Sequence, residues 1–576
     1  MISFGSSTPQ PQRSRAAAWI DLLIVAGLGG LVVGLIGLGR EWTGIQRPAI
    51  QINLSLWALP RYTLYSLSRG LLAYIISLGF TLVYGYWAAK DKVAGRVLVP
   101  LLDVLQSIPV LGFMPGLILG LVALFPRSNV GLELAAVIMI FTGQAWNMTF
   151  SYYHSLRSIP ADLTEVATVY RFNWRERLRW VELPFATMGL VWNSMMSMAG
   201  GWFFLMINES FQLGHRDFRL PGIGSYMSVA VEQGNVPAML YAILAMTVMI
   251  VVLDQLLWRP VVVWAQKFRV EEGGAQPEMT SWFLDWLRRS RLIAAVGRIA
   301  AGRSRGAAPP PEPPAGAMPA APASRRRLSA ALSPLLLAAL LLVLGYGGVR
   351  LVGLLRAVPG SAWLPLLAAG GLTLGRVLAS TAIGTLWALP AGLAIGLSPR
   401  LSRLLQPVVQ VVASFPAPML FPIAIAALAW AGVSLGVGSI MLMLLGTQWY
   451  ILFNVIAGAM TIPSDLREAA RSYRLTGWRR FRALYAPGVF PYLVTGWVTA
   501  AGGAWNASIV AEYVTFKGHS LLTRGLGAQI SAAAARADFP LLAASIIVMS
   551  AIVVIFNRTV WHRCYRLAEQ RYSLSR

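Results

Sequence analysis

Two polar segments carry the residue types and spacing best suited to one kind of chemistry, the recognition of another protein. They read IPADLTEVATVYRFNWRERLRWVELP at residues 159–184 and IPSDLREAARSYRLTGWRRFRALYAP at residues 462–487, and we call them the first and second repeated loops. Pro160 and Pro463 suit the first turn of a helix, where the lost N–H has no partner anyway. Each loop is therefore predicted to open with a short helix.

Further residues of the loops favour a second short helix in each. Asp162 and Asp465 place negative charge near the positive end of the first helix. Asn173 and Thr476 are positioned to cap the second helix, and Asn173 with Glu176 has the spacing of a capping box. Two short helices joined by a turn make a stiff protrusion, which can transmit force from a partner as a floppy loop cannot.

Catalytic chemistry finds no support in the sequence. A phosphate-binding loop needs a Lys after a Gly, and none of the four lysines follows one. The histidines lack the spacing of a zinc site, and no nucleophile lies in a recognisable pattern with a base. The lysines are Lys90, Lys92, Lys267 and Lys517, and the histidines are His154, His215, His519 and His562. The chain is predicted not to be an enzyme, to hold no metal and to carry no cofactor.

The composition indicates whether the protein that carries these loops is soluble or embedded in a membrane. Of 576 residues, 56% are hydrophobic and only 12% charged, and the mean hydropathy is +0.61. Soluble domains carry about 25% charged residues, so we expect an all-α membrane protein. The net charge of +25 could indicate nucleic acid, but basic residues that flank spans on the cytoplasmic side explain it without such a partner.

Twelve apolar stretches are long enough to cross a bilayer, which takes about 20 residues. The first six are 18–39, 70–89, 97–125, 131–156, 185–208 and 238–258, and the second six are 332–355, 377–397, 404–431, 435–460, 488–511 and 540–556. The Arg/Pro/Ala-rich composition of residues 266–329 predicts a mobile cytoplasmic linker. The predicted units are residues 1–265, the linker, and residues 330–576, with both termini in the cytoplasm.

Aromatic residues precede two of these spans. Trp57, Tyr62 and Tyr65 come before residue 70, and Trp363 comes before residue 377. They fit either interfacial helices on the outer surface or the aromatic belt at the end of a tilted span.

The chain is an internal duplication. Ser107 and Pro109 match Ser414 and Pro416 at an offset of 307 residues, and the downstream part, including both repeated loops, matches at an offset of 303. Because each copy begins inside and crosses six times, the copies are parallel. Their pseudo-two-fold axis then follows the membrane normal, with a shared path between the halves.

Polar residues inside the spans are the candidates for that path, because polar groups are costly in lipid. Interhelical hydrogen bonding explains each of them about as well. Glu209 and Glu512 lie at the outer ends of their spans, where they would repel an anion and could instead serve an outer gate or the docking of a binding protein. The pathway candidates are Asp103, Gln144, Asn193, Ser197, Glu209, Gln410, Gln448, Asn506, Ser508 and Glu512.

The repeated loops resemble a known motif. Glu468-Ala469-Ala470 followed by Pro487 is similar to the EAA loop of permeases of ATP-binding-cassette (ABC) importers, and Glu165-Val166-Ala167 with Pro184 repeats it. TLGRVLASTAIGTLWALPAGLAIGLS, LPGIGSYM and MSMAGGWFF look like the nitrate, sulfonate and taurine branch. The resemblance implies the type I importer permease fold in a fused, duplicated chain.

The resemblance also implies that each loop docks an ATPase subunit. The residues carried over are Glu165, Ala167, Tyr170 and Arg171 in the first loop, and Glu468, Ala470, Tyr473 and Arg474 in the second. The chain departs from the motif at Arg171 and Arg474, where a Gly is usual, and at Val166. Since Gly relaxes such a turn, the turn geometry is expected to differ.

The implied partners are two ABC ATPase subunits that hold ATP and Mg, an extracytoplasmic solute-binding protein and the lipid bilayer of the bacterial inner membrane. The implied cargo is a small anion such as nitrate, a sulfonate, taurine or bicarbonate. An ion-coupled secondary transporter, which is also often built from parallel six-helix halves, is the alternative. A membrane scaffold or sensor without transport is a third possibility.

Overall fold

The computed structural model describes residues 21–23, 25, 37, 39–43, 50–213, 216–268, 281–290, 323–516 and 519–572 of the chain. Of the predicted first span, 18–39, only residues 21–23, 25, 37 and 39 belong to this part. The described residues form a mostly helical molecule with two small antiparallel hairpins.

The first half consists of four long helices, a broken helix, the short helices of the first repeated loop, a hairpin followed by a short apolar helix, and a short helix at its end. Its elements are α1 (Leu59–Lys90), α2 (Lys92–Ser107), α3 (Val110–Leu124), α4 (Val130–Arg157), α5 (Ala161–Val169), α6 (Trp174–Arg177), α7 (Leu183–Asn208), β1 (Ser210–Leu213), β2 (Arg216–Arg219), α8 (Ile223–Glu232), α9 (Val236–Leu253) and α10 (Arg259–Ala265).

The second half repeats this order after a short helix, α11 (Trp282–Arg288), and a long one, α12 (Ala323–Arg356). Its other elements are α13 (Trp363–Leu397), α14 (Pro399–Ser414), α15 (Phe421–Trp430), α16 (Leu435–Thr461), α17 (Ser464–Ser472), α18 (Gly477–Arg480), α19 (Ala486–Ala511), β3 (Tyr513–Phe516), β4 (His519–Leu522), α20 (Leu526–Ala535), α21 (Phe539–Phe556) and α22 (His562–Arg571).

Short turns of other helix types join several of these elements. The 3₁₀ turns are Leu56–Ala58, Gln266–Phe268, Gly360–Ala362 and Ala417–Leu420, and the π turns are Leu178–Glu182, Asp254–Trp258, Phe481–Tyr485 and Asn557–Trp561. The π turns fall in two pairs, each separated by 303 residues. The two halves therefore repeat these π turns as well as the regular helices.

Among the described residues, eight helices are long and apolar enough to cross a membrane, and ten spans result if each bent pair counts as one. The bent pairs are α2 with α3, at 97°, and α14 with α15, at 81°. The membrane-embedded all-α class is thereby confirmed. The predicted number of twelve is not, because the first span lies largely outside the description and α19 is not among the helices that qualify.

The aromatic residues before two of the spans do not form separate interfacial helices. Trp57, Tyr62 and Tyr65 belong to one helical stretch, Leu56–Lys90, and Trp363 belongs to Gly360–Leu397. These continuous helices favour the second interpretation, in which the aromatic side chains lie at the end of a span.

The two halves face each other in parallel. The α8 helix contacts β3 and the α20 helix contacts β1, so the two hairpins lie at the same end of the molecule. The α7 helix packs against α14 of the other half, and α19 packs against α3. These reciprocal contacts match the predicted two-fold relation, and the hairpins themselves are elements that the apolar pattern did not predict.

The long helix α12 of the second half contacts the first half. Ser333 of α12 donates a hydrogen bond to Asp91, and Trp87 Nε1 donates to Ser333 Oγ at 2.9 Å. The hydrogen bond from Ser333, with others from the backbone N–H groups of Ala94 and Val93, lowers the pKa of Asp91. Asp91 thereby caps α2 and holds α12 beside it.

Part of the linker is folded. Residues 281–290 contain α11, whose Trp282 Nε1 donates to Gln255 Oε1 at 3.0 Å, and Ser290 donates to Asp21 at 2.6 Å. The prediction of a mobile segment over residues 266–329 therefore misses this short helix. The helix α12 also begins at Ala323, before the predicted boundary at residue 330.

Candidate functional site

The two repeated loops have the same geometry. The α5 and α17 helices each end in a Schellman turn, in which Phe172 N donates to Ala167 O and Leu475 N donates to Ala470 O, both at 2.9 Å. Ala167 and Ala470 are buried, with 3% and 5% of their surface exposed. The small Ala of each motif thus lies under the turn, where a larger side chain would not fit.

Arg171 and Arg474 occupy the left-handed position of these turns, with φ of 53° and 52°. This conformation favours Gly, the usual residue at this place in the motif that the loops resemble, because a Cβ costs about 1 kcal/mol or more there. Both arginines therefore adopt the backbone conformation that a Gly would take at this position. Both loops keep the turn and accept the strain of an arginine.

Replacing Arg171 or Arg474 by Gly is expected to raise the free energy of local opening of that loop by about 0.5–1 kcal/mol, because the strain of the left-handed conformation is relieved. Limited proteolysis of the purified protein measures the local opening of each loop. Arg175→Gly is the control, because that residue lies in the α6 helix, where Gly costs stability. Faster cleavage of both Gly variants at the turn would contradict the strain argument.

Polar and aromatic side chains of the loops point outward. Tyr170 and Tyr473 are 71% and 81% exposed, and Trp174 and Trp478 are also exposed. Glu165, Glu468 and the two turn arginines are exposed as well. Six of the eight residues carried over from the EAA motif are thus exposed, three on each loop. The other two, the alanines, are buried beneath the turns.

Capping differs between the loops. Asn173 Oδ1 accepts from the N–H groups of Arg175 and Glu176, and Glu176 Oε2 accepts from Asn173 N, which confirms the predicted capping box. Thr476 makes no side-chain cap, so that prediction is wrong. Gly477, at the next position, has a φ of 50°.

A buried carboxylate supports the first loop. Glu182, fully buried in the π turn after α6, lies 2.5 Å from Lys90 Nζ and 3.1 Å from Arg177 Nε. It thus ties the loop to the end of α1. The second loop has Tyr485 at the matching position, and Arg480 lies over its ring at 5.1 Å. Sequence reasoning missed this difference, although the charge at residue 182 of only one copy could have indicated it.

A second buried cluster lies at the hairpin end of the first half. Arg69 donates from Nε and Nη2 to the two oxygens of Glu133 at 2.6 Å, and from Nη1 to Glu209 Oε1 at 2.8 Å. Glu209 also accepts from Ser66 Oγ at 2.7 Å and Gly224 N at 2.7 Å. All three charged side chains are fully buried, so this network joins α1, α4, α7 and α8.

The second half has a reduced version of this network. Arg376 Nη1 donates to Glu512 Oε1 at 2.7 Å, and Glu512 also accepts from Thr373 and from Gly527 N at 2.9 Å. The match of Glu133 is Gly436, whose carbonyl accepts from Arg376 Nε at 3.2 Å. One carboxylate of the first half is thus replaced by a backbone oxygen.

The network explains the LPGIG sequence. A Cβ at Gly222 would overlap the carboxylate of Glu209, and one at Gly525 would overlap that of Glu512. The structure therefore places Glu209 and Glu512, predicted as pathway residues, inside ion pairs that fix the segment between the hairpin and the next helix. Glu133 was not among the predicted residues.

The remaining pathway candidates do not form one site. Most bond within their own half: Gln144 with Ser77 and Met198, Asn193 with Gly189 O, Gln448 with Trp387, and Ser508 with Trp505 O. Ser197 is buried, and Asp103 lies on an exposed part of α2.

Two candidates lie between the halves. Asn506 Oδ1 accepts from Val110 N, at the start of α3 in the other half, at 2.8 Å. Gln410 lines a cavity of about 10 Å³ together with Trp202, Asp254 and Ser414, a space for about one water molecule. These are the polar contacts that a path between the halves would have to open.

A duplicated, parallel, membrane-spanning helical chain with matching protrusions at one end defines the class of fused membrane permeases. The chain belongs to the family described as binding-protein-dependent transport system inner membrane component, whose model matches residues 81–257 and again residues 384–573. Both matches include a repeated loop, and the linker lies between them. The family is one of transport permeases and not of enzymes.

Curated relatives of the chain are permeases named for small anions and taurine. The bicarbonate transport system permease protein CmpB of Synechocystis is 29% identical over 148 residues, covering 25% of this chain and 49% of its own. The nitrate import permease protein NrtB of Leptolyngbya laminosa is 31% identical over 138 residues (23% and 48%). The taurine transport system permease protein TauC of Escherichia coli is 24% identical over 161 residues (28% and 55%). The chain spans about half the length of the curated relatives it matches.

Proposed function

We propose that the chain is the membrane permease of an ATP-driven importer and that its two repeated loops dock two ATPase subunits. The observation that carries the proposal is the pair of matching protrusions, each with a buried alanine under a tight turn and an exposed tyrosine at its end. A rigid, exposed, duplicated surface suits a dimeric motor. ATP hydrolysis then belongs to the partner subunits, which hold ATP and Mg.

The mechanism requires that ATP shifts an equilibrium between inward-open and outward-open forms. Only contacts that differ between these forms can do so. The loops are continuous with α4 and α7 in the first half, and with α16 and α19 in the second. Movement of docked ATPase subunits would therefore move the helices that pack across the interface, and part the contact of Asn506 with Val110.

The test is to truncate both tyrosines, in the Tyr170→Ala/Tyr473→Ala variant, and to purify the protein with its ATPase partner. Loss of a central aromatic contact costs about 2 kcal/mol or more per site, so we expect copurification and transport-stimulated ATP hydrolysis to be lost. Trp57→Ala is the control, since Trp57 is a 90% exposed aromatic residue before the start of α1, and the first loop contacts the other end of that helix at Lys90. Unchanged stimulated hydrolysis in the double variant would reject the docking role.

The same vesicles discriminate the alternative of an ion-coupled secondary transporter. Uptake that persists without ATP and stops when the ion gradient is removed would favour that class. For the importer we expect uptake to require ATP, the ATPase subunits and an external solute-binding protein. We place the protein in the bacterial inner membrane, with the repeated loops and both termini on the cytoplasmic side.

We also propose a small anion or zwitterion as the cargo, because relatives are named for bicarbonate, nitrate and taurine. Competition of unlabelled bicarbonate, nitrate, taurine and an alkyl sulfonate against uptake would identify it.

A further inference from the structure

The two repeated loops present different surfaces, although they share one register. At an offset of 303 residues, Asp162, Leu163, Glu165, Tyr170 and Arg171 all have identical partners. Besides Ala161 against Ser464, the first helices of the two loops, α5 and α17, differ at four positions. They are Thr164 against Arg467, Val166 against Ala469, Thr168 against Arg471, and Val169 against Ser472.

The α5 surface is apolar and acidic. Val169 is 78% exposed, and Val166 and Leu163 are also exposed. Two acids, Asp162 and Glu165, are its only charged residues. Exposed valines on a short polar helix gain stability when a partner covers them, at about 25 cal/mol per Å² of apolar surface buried.

The α17 surface has Ala469 and Ser472 in place of the two valines, and it adds two cations, Arg467 and Arg471, to the two acids that it shares with α5. Arg467 and Arg471 lie four residues apart, so they share one face of the helix. Among the residues that the structure describes, neither forms an ion pair, and the buried Nε of Arg467 has no hydrogen-bond partner. A buried donor without a partner is costly, and a guanidinium is suited to a planar, bidentate contact with a carboxylate.

We propose that the two loops recognise the ATPase by different chemistry: α5 by burying apolar surface, and α17 by pairing Arg467 and Arg471 with carboxylates on the ATPase face. This inference rests on the proposed docking of ATPase subunits and names the partner chemistry at each loop. The groove that receives α17 carries acidic residues at the positions facing these arginines. The groove that receives α5 needs none there, because threonines occupy the matching positions.

The chain allows the two docking sites to be observed separately. Cys564 is its only cysteine. In a Cys564→Ser background, Ala161→Cys or Ser464→Cys places a single fluorescent label at the exposed start of α5 or α17, at matching positions. Binding of the purified ATPase to the full chain in detergent is then titrated at each site in 0.05 M and 0.5 M NaCl.

Two matched variants exchange the differing residues. Arg467→Thr/Arg471→Thr gives α17 the residues of α5, and Val166→Ala/Val169→Ser gives α5 those of α17, so each change is already tolerated at the matching position. Salt screens exposed ion pairs and leaves apolar burial intact. We expect affinity at the α17 label to fall about tenfold in high salt and at the α5 label less than about threefold.

The variants are expected to separate these effects. Arg467→Thr/Arg471→Thr should weaken binding at the α17 label in low salt and abolish its salt dependence, while Val166→Ala/Val169→Ser weakens the α5 site equally at both salt concentrations. Equal salt dependence at both labels, or an arginine variant that binds like the parent, would overturn the inference. Failure of the ATPase to reach either label would instead reject the proposed function.

Discussion

Replacing Arg69 by Met is expected to lower the free energy of unfolding by about 3–5 kcal/mol, because it leaves two carboxylates buried without a counter-charge. Arg69 supplies four hydrogen bonds to Glu133, Glu209 and Pro221 O, and none of the three charged side chains is exposed. The measurement is the thermal or chemical unfolding of the detergent-purified protein. A loss of this size is expected to reduce the yield of folded protein as well.

Arg376→Met is the matched variant in the other half. Arg376 faces one carboxylate, and Glu512 keeps its hydrogen bonds from Thr373, Gly527 and Ala528 when the arginine is removed. We therefore expect a loss of about 1–3 kcal/mol. Adding Glu133→Gln to Arg69→Met should recover part of the stability, because it removes one of the two buried charges. If both arginines proved equally dispensable, the account of the network as an ion-pair support would be wrong.

The sequence predicted the parts of the site that depend on local rules. The offset of 303 residues placed the two loops and the two glutamates Glu209 and Glu512 in register, and Asn173 with Glu176 predicted a capping box that the structure contains. These features follow from residue spacing alone. The family resemblance correctly implied a fused, duplicated permease.

Other parts depend on contacts between distant residues, which no local pattern encodes. Glu133 joins Arg69 across 64 residues, and Lys90 joins Glu182 across 92. From hydropathy, Glu209 and Glu512 are costly polar groups that are expected to face a path. In the structure each of them pairs with an arginine inside its own half. The hairpins were missed because four-residue strands with mixed polarity resemble a loop.

Two buried carboxylates of the first half have no counterpart in the second half. Glu133 becomes Gly436 at the hairpin end, and Glu182 becomes Tyr485 at the loop end. In both places the first half keeps a buried ion pair that the second half replaces by a weaker contact. The first half is therefore expected to move as the stiffer body, with the first loop rigidly joined to α1.

Glu182→Gln tests that rigid joint, and we expect it to reduce solute transport per ATP hydrolysed while ATPase subunits still bind. The substitution keeps the side-chain shape but removes the charge that faces Lys90 and Arg177. Because both cations are about one-third exposed and can be rehydrated, the cost is about 1–2 kcal/mol. Such a cost lowers the population of the anchored loop by a factor of about 5–30.

The measurement is coupled uptake and hydrolysis in reconstituted vesicles, with copurification of the ATPase as the binding readout. Tyr485→Phe is the matched control, since its ring contact with Arg480 survives the loss of the hydroxyl and coupling should stay at the parent level. A drop in hydrolysis and uptake in equal proportion would mean that Glu182 supports binding of the ATPase and not transmission. Uptake and hydrolysis that both stay at the parent level would mean that the first loop transmits force through the helix backbone alone, since α4 and α7 would then suffice without the tie to α1.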